Sequence, residues 1–173
     1  MLISAALAMP DMSEVWMIPT YRHAFGKPLA PYRHRVKMCE RIAVPLGERV
    51  VVSRMESELG GESRTLPLLQ RLSECLPRAQ FRLLIGADIL AEAKNWHRWD
   101  EVIRLAPPLV FGRVGSSLAC SLSTTVTLPN VSSTEIRHRL AAGKSVATLL
   151  PDTVVRYIVT NQLYGVDRPA SND

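Results

Sequence analysis

A chain of 173 residues is one domain of ordinary size, long enough to bury a sizeable core. An apolar fraction of 47% with 21% charged residues excludes a disordered chain, and 21 Lys plus Arg against 16 Asp plus Glu leave a net charge of +5, which suits an anionic partner without naming it. No apolar run nears the roughly 18 residues of a membrane span, and Cys39, Cys75 and Cys120, odd in number and widely spaced, form neither a disulfide framework nor a CxxC metal pattern, so free thiols in a reducing cytoplasm are expected.

The chain opens on residues 2–9, a helical pattern stopped by Pro10, with no cap and no strand before it, as though it began inside a unit. Ala6-Leu7-Ala8 has the shape of a secretory cleavage site, but the stretch lacks a basic start and its apolar part is too short for export. Strand patterns follow at 14–18, 49–53, 81–85, 109–111 and 125–128. Between them Val36, Cys39, Ile42 and Ala43 mark one face of a helix over 31–44, and Leu66, Leu69, Leu72 and Leu76 mark another. A last helix begins at Pro151-Asp152 and faces inward through Val155, Ile158, Val159 and Gln162. Strands alternating with helices predict an α/β domain over 1–165, a parallel sheet covered on both faces, with a flexible tail at 166–173.

Four segments carry candidate chemistry. The first, 21–37, holds Arg22, His23, Lys27, Arg33, His34, Arg35 and Lys37, with no acid between Glu14 and Glu40. It reads as a phosphate funnel with Lys27, in the loop Gly26-Lys27-Pro28, reaching for a polyphosphate; a solvated basic face is the plain alternative. The second ends an apolar strand in Gly86-Ala87-Asp88. Ligands gather at such carboxyl ends, where a glycine admits a ligand to the backbone and a carboxylate accepts from hydroxyls; Asp88 capping the next helix is the alternative. The third is Asn95-Trp96-His97-Arg98-Trp99, where Trp99 shares the helical register of Val102 and Ile103 and is assigned to the core, leaving Trp96 free to stack a planar ring.

The fourth is the sharpest. Ser132, followed three residues on by Glu135, makes a capping box that starts a helix with Ile136 and Leu140 facing inward and Gly143 ending it. Ser133 and Thr134 stand in its first turn and Arg137 one turn on. Free N–H groups and the positive dipole end make this a phosphate cradle, against the alternative of an ordinary capped helix. GxSxG, HExxH and P-loop motifs are absent, and the aromatics do not interleave with the basic run as in nucleic-acid modules, so neither nucleic acid nor membrane is expected as a partner.

Taken together, these segments resemble the bacterial nicotinate-nucleotide adenylyltransferases of the nucleotidyltransferase superfamily. The anchors are Val15 to Thr20, His23 to Lys27, Ile85-Gly86-Ala87-Asp88, Trp96, Phe111-Gly112-Arg113-Val114-Gly115, Ser132-Ser133-Thr134-Glu135-Ile136-Arg137, and the ending Leu149-Leu150-Pro151, Tyr157-Ile158 and Leu163-Tyr164. The resemblance implies a Rossmann-like sheet and transfer of AMP from ATP, with Mg²⁺, onto nicotinate mononucleotide. It implies that Ser132, Ser133, Thr134, Arg137 and Lys27 hold ATP phosphates. Gly86 and Asp88 line the site, Trp96 stacks on the nicotinate ring, and Arg113 stands in place of the arginine of an Arg-Pro-Gly turn.

This chain also departs from the pattern. The family's opening central strand, Gly-rich turn and His-x-Gly-His motif have no counterpart, which reads as a start assigned downstream or a shortened chain and leaves the catalytic residues unassigned. Removing a central strand orphans its neighbours' ladder groups at roughly 1–3 kcal/mol each. Residues 60–65, Gly-Gly-Glu-Ser-Arg-Thr, replace a Ser-Tyr-Thr loop that helps seat the nicotinate. A different phosphate acceptor, such as nicotinamide mononucleotide or phosphopantetheine, and a non-catalytic nucleotide-binding remnant are therefore the competing expectations.

Overall fold

A computed structural model describes residues 1–23, 29–93, 96–113 and 123–166. The chain runs α1 (Leu2–Leu7), β1 (Val15–Met17), α2 (Tyr32–Ala43), β2 (Val50–Val52), α3 (Met55–Leu59), α4 (Thr65–Cys75), β3 (Leu83–Gly86), α5 (Ala87–Ala93), α6 (Trp99–Leu105), β4 (Pro108–Arg113), β5 (Ser123–Leu128), α7 (Ser133–Ala141) and α8 (Asp152–Thr160), with short 3₁₀ turns at Val44–Leu46 and Leu163–Gly165. Each of the five strand patterns forms a strand, and every pairing is parallel.

The strands form two sheets, β1-β2 and β3-β4-β5. Among the described residues no ladder joins β1 to β3, yet the two strands feed the same hydrophobic clusters. Trp16 and Leu83 pack against Leu66, Leu69, Leu72 and Val102 of α4 and α6. Val15 and Leu84 belong with Leu109 and Phe111 to the cluster under α1, which contributes Ala6. Alternate residues of each strand thus face opposite helical layers, as the period of two requires, and helices cover both faces of an α/β core. The break between β1 and β3 stands where a central strand would lie, the strand for which the sequence offers no counterpart.

A third cluster lies beside the sheets. Leu140 of α7, Val154 and Ile158 of α8, Val146 and Leu163 bury one another, with Met38 and Ile42 of α2 packed on the outside. In α8 the buried register is Val154 and Ile158; Val155 is only partly buried, and Gln162, beyond the helix, is exposed. Leu76 is also exposed, because α4 ends one residue before it and turns it away from the face that buries Leu68, Leu69 and Leu72. Trp99 packs against the clusters built on Leu72 and Val102 and on Ile85 and Val110, as its register predicts.

Candidate functional site

The three-stranded parallel sheet delivers its chain ends to one side. β3 ends at Gly86, β4 at Arg113, which pairs with Leu128, and β5 leads into α7. Gly86 runs directly into α5, so Asp88 is the second residue of that helix rather than its cap, and it stands exposed in the first turn, where the helix dipole favours a carboxylate.

The start of α7 is built as its sequence predicts. Ser132 is the N-cap, its backbone extended, and its Oγ accepts from the Glu135 N–H at 3.1 Å. The return half of the capping box is absent. Glu135 turns instead to Arg139, whose Nε donates to Oε1 at 2.7 Å and holds the carboxyl below its ordinary range. Ser132, Ser133 and Thr134 are exposed, leaving their hydroxyls open to solvent at the positive end of the helix. Arg137 reaches back along the same turn, with Nε donating to the Ser133 carbonyl at 3.1 Å and Nη2 to Thr134 Oγ1 at 3.3 Å. The helix closes at Gly143, whose positive φ of 65° lets Lys144 N–H return to the Arg139 carbonyl at 2.8 Å.

Trp96 is half-buried and meets Trp99 edge-on, ring centroids 5.7 Å apart and planes at 81°. Trp99 rests on the cluster of Ile85 and Val110, so Trp96 is anchored through it to β3 and β4.

The basic segment after β1 divides. Lys27 lies outside the described residues, as does Cys120. Arg35 turns inward: Nε donates to the Ala30 carbonyl at 2.9 Å, Nη2 to the Tyr21 carbonyl at 3.2 Å, and Nη1 to the Thr20 carbonyl. It shapes the loop rather than offering its charge to a ligand. Arg33, His34 and Lys37 face away, lining a groove of ≈ 500 Å³ with Tyr32, Arg54 and Tyr157. There the Tyr157 hydroxyl and His34 Nδ1 share a hydrogen bond of 2.9 Å, and Glu40 accepts from Lys37 at 2.7 Å and Arg54 at 3.0 Å, which lowers its pKa.

Two organising residues carried no signal in the sequence pattern. Ser63, in the loop of 60–65, accepts from the N–H groups of Tyr21 at 2.8 Å and Arg22 at 3.1 Å, and its own N–H donates to the Arg22 carbonyl at 2.8 Å. Glu56 adds an acceptor for the Tyr21 N–H at 2.8 Å. The loop that follows β1 is thus stitched to the loop that precedes α4. Among the described residues, no group of three or more His, Cys, Asp or Glu side chains is placed to hold a metal ion.

Residues 1–139 match the family described as cytidylyltransferase-like. A protein of Anaeromyxobacter dehalogenans (strain 2CP-C) named "Probable nicotinate-nucleotide adenylyltransferase" is 44% identical over 162 residues, covering 92% of this chain and 84% of its own length. One of Myxococcus xanthus with the same name is 34% identical over 161 residues, covering 93% and 84%. Among solved structures, the Plasmodium falciparum nicotinic acid mononucleotide adenylyltransferase complexed with NaAD superposes with a TM-score of 0.78 over 96% of this chain and 89% of that one, at 17% identity, a likeness of fold.

Proposed function

The chain belongs to the cytidylyltransferase-like family and, within it, to the nicotinate-nucleotide adenylyltransferases, and we propose that it transfers AMP from ATP onto nicotinate mononucleotide in NAD biosynthesis. A phosphate oxygen of the mononucleotide attacks the α-phosphorus of ATP. The bond from that phosphorus to the bridging oxygen breaks, and its electron pair leaves on pyrophosphate, giving deamido-NAD. No enzyme nucleophile takes part, so the protein contributes positioning and charge neutralisation.

The reading is carried by the exposed start of α7. Ser132, Ser133, Thr134 and Arg137 combine hydroxyls, a helix dipole and a guanidinium aligned along one turn, the chemistry a polyphosphate requires. Trp96 supplies a ring for the nicotinate, and Gly86 and Asp88 line the strand end; the roles of Lys27, outside the described residues, and of Arg113 rest on the resemblance alone. Mg²⁺ enters with ATP, as the metal–nucleotide substrate. The working compartment in this reading is the cytoplasm.

The acceptor is the point on which a second reading stands. The 60–65 loop, where the resemblance calls for Ser-Tyr-Thr, carries no aromatic residue, and in it Arg64 pairs with Glu62 at 3.0 Å. The test is pyrophosphate release from MgATP with nicotinate mononucleotide, nicotinamide mononucleotide or phosphopantetheine. Release with the first alone is expected. Release with phosphopantetheine alone transfers the function to the second reading, and no release with any acceptor overturns both in favour of a non-catalytic nucleotide-binding protein.

A further inference from the structure

Tyr21 and Arg22 follow β1 in no regular structure, yet both backbone polar groups of each are taken. The Tyr21 N–H is shared between Glu56 Oε2 and Ser63 Oγ, each at 2.8 Å, and the Tyr21 carbonyl accepts from Arg35 Nη2 at 3.2 Å. The Arg22 N–H donates to the same Ser63 Oγ at 3.1 Å, and the Arg22 carbonyl accepts from the Ser63 N–H at 2.8 Å. Ser63 therefore grips Arg22 at both its backbone groups. A plain surface connection leaves such groups to water. Here the side chains of Arg35, Glu56 and Ser63 give up rotamer freedom to hold them, which marks a segment with one fixed pose.

The pose presents a charge. β1 and β2 run parallel, and the joined segments both follow their carboxyl ends, directly after β1 and, across α3, after β2. Ligands of parallel sheets gather on that side. The Arg22 side chain is exposed, with its guanidinium 5.6 Å from the centre of the Tyr21 ring, which itself meets Tyr32 edge-on at 5.1 Å. Among the described residues Arg22 pairs with no carboxylate; Glu56 meets the Tyr21 backbone instead. Elsewhere in the basic segment Lys37 is matched by Glu40, and Arg35 is spent on carbonyls. Arg22 is thus a cation without an acidic partner, held ready at the strand end for a phosphate.

We propose that Ser63 is a positioning residue for the AMP transfer: by holding Arg22 at its N–H and its carbonyl, it aims that guanidinium at the polyphosphate of ATP. The proposal rests on the function given above, with the basic segment as a phosphate funnel. The test measures initial rates of pyrophosphate release by the full chain with MgATP and nicotinate mononucleotide. Ser63→Ala is expected to raise the KM for MgATP about fivefold, the effect of about one hydrogen bond, with kcat and the KM for the mononucleotide within about twofold of the parent. Arg22→Ala should raise the same KM at least about tenfold, as loss of a charge-assisted bond does. Adding Ser63→Ala to Arg22→Ala should change nothing further, because the serine acts through that side chain. Ser63→Thr keeps an Oγ acceptor and should recover most of the loss. Hydrogen exchange over residues 18–23 should quicken in Ser63→Ala and return toward the parent in Ser63→Thr. A KM for MgATP that does not move in Ser63→Ala, losses that multiply in the double variant, or a threonine no better than alanine overturns the proposal. So does a lowered melting temperature with both KM values unchanged, the mark of a serine that only stabilises the fold. Should the parent release no pyrophosphate with nicotinate mononucleotide, the functional reading fails and this role falls with it. Release by the parent with an unmoved KM in Arg22→Ala leaves that reading intact and removes only the role of Ser63 and Arg22.

Discussion

Arg137 spans one turn of α7 to the Ser133 carbonyl, with 3.1 Å between Nε and the oxygen. The bond occupies one donor of the guanidinium and fixes its plane along the exposed hydroxyls. Arg137→Lys keeps the charge and loses the fork, so the two substitutions at this position separate charge from geometry. Loss of charge-assisted bonds of about 1.5–3 kcal/mol predicts a KM for ATP raised roughly ten- to hundredfold in Arg137→Ala. Arg137→Lys is expected to recover only a small part of this, as measured by initial rates of pyrophosphate release.

Ser132→Ala removes the acceptor of the Glu135 N–H and the one side-chain cap of α7. A lost N-cap costs about 1 kcal/mol. In a chain of this length that lowers Tm by about 2–4 °C, read by calorimetry. Glu135→Gln, which breaks an exposed, solvent-screened pair with Arg139, is expected to leave the melting temperature essentially unchanged.

Trp96→Ala should raise the KM for nicotinate mononucleotide by about tenfold while leaving that for ATP within about twofold, since stacking on an aromatic ring contributes about 1–3 kcal/mol. Trp96→Phe should recover much of the loss. Equal damage to both substrates in a steady-state matrix would mean that the indole serves only its edge-on contact with Trp99.

The two described thiols differ in exposure. Cys75 is exposed, whereas Cys39 is partly buried and its pKa is raised, chiefly by desolvation, with Arg35 acting against it. A thiol raised in the folded chain contributes stability that is fully present below its ordinary value of 9.0 and is lost as pH climbs through the folded value, because the unfolded chain ionises first. Iodoacetamide with peptide mass mapping should label Cys75 well before Cys39. Urea midpoints should fall above about pH 9 in the parent and fall less in Cys39→Ala.

The fold was legible where local chemistry is strong. Short apolar or β-branched runs marked each strand, and Ser132 with Gly143 bracketed α7, because caps and short apolar runs leave their signal within a few residues. Val154 and Val155 show the limit: two adjacent valines fit either register, and packing against Leu140 and Leu163 selects the first. The Glu135 half of the capping box yielded to Arg139, a partner one turn away on the same helix. The loop-anchoring roles of Ser63, Glu56 and Arg35 were invisible, since all three act on carbonyls and N–H groups of a remote or irregular loop, and no spacing rule encodes such bonds. Of the site, the first turn of α7 and the indole were readable. The division of the basic segment, with Arg35 inward and Arg33 outward, needed three dimensions.

The break between β1 and β3 also bears on how the protein behaves in a test tube. Two parallel borders that share side-chain clusters without sharing a ladder are receptive to any extended backbone that can lie between them. The chain should accordingly grow stickier as it is concentrated, with light scattering rising steeply with dose and subsiding when a short valine- and isoleucine-rich peptide, apolar on both faces, is added as a sacrificial strand.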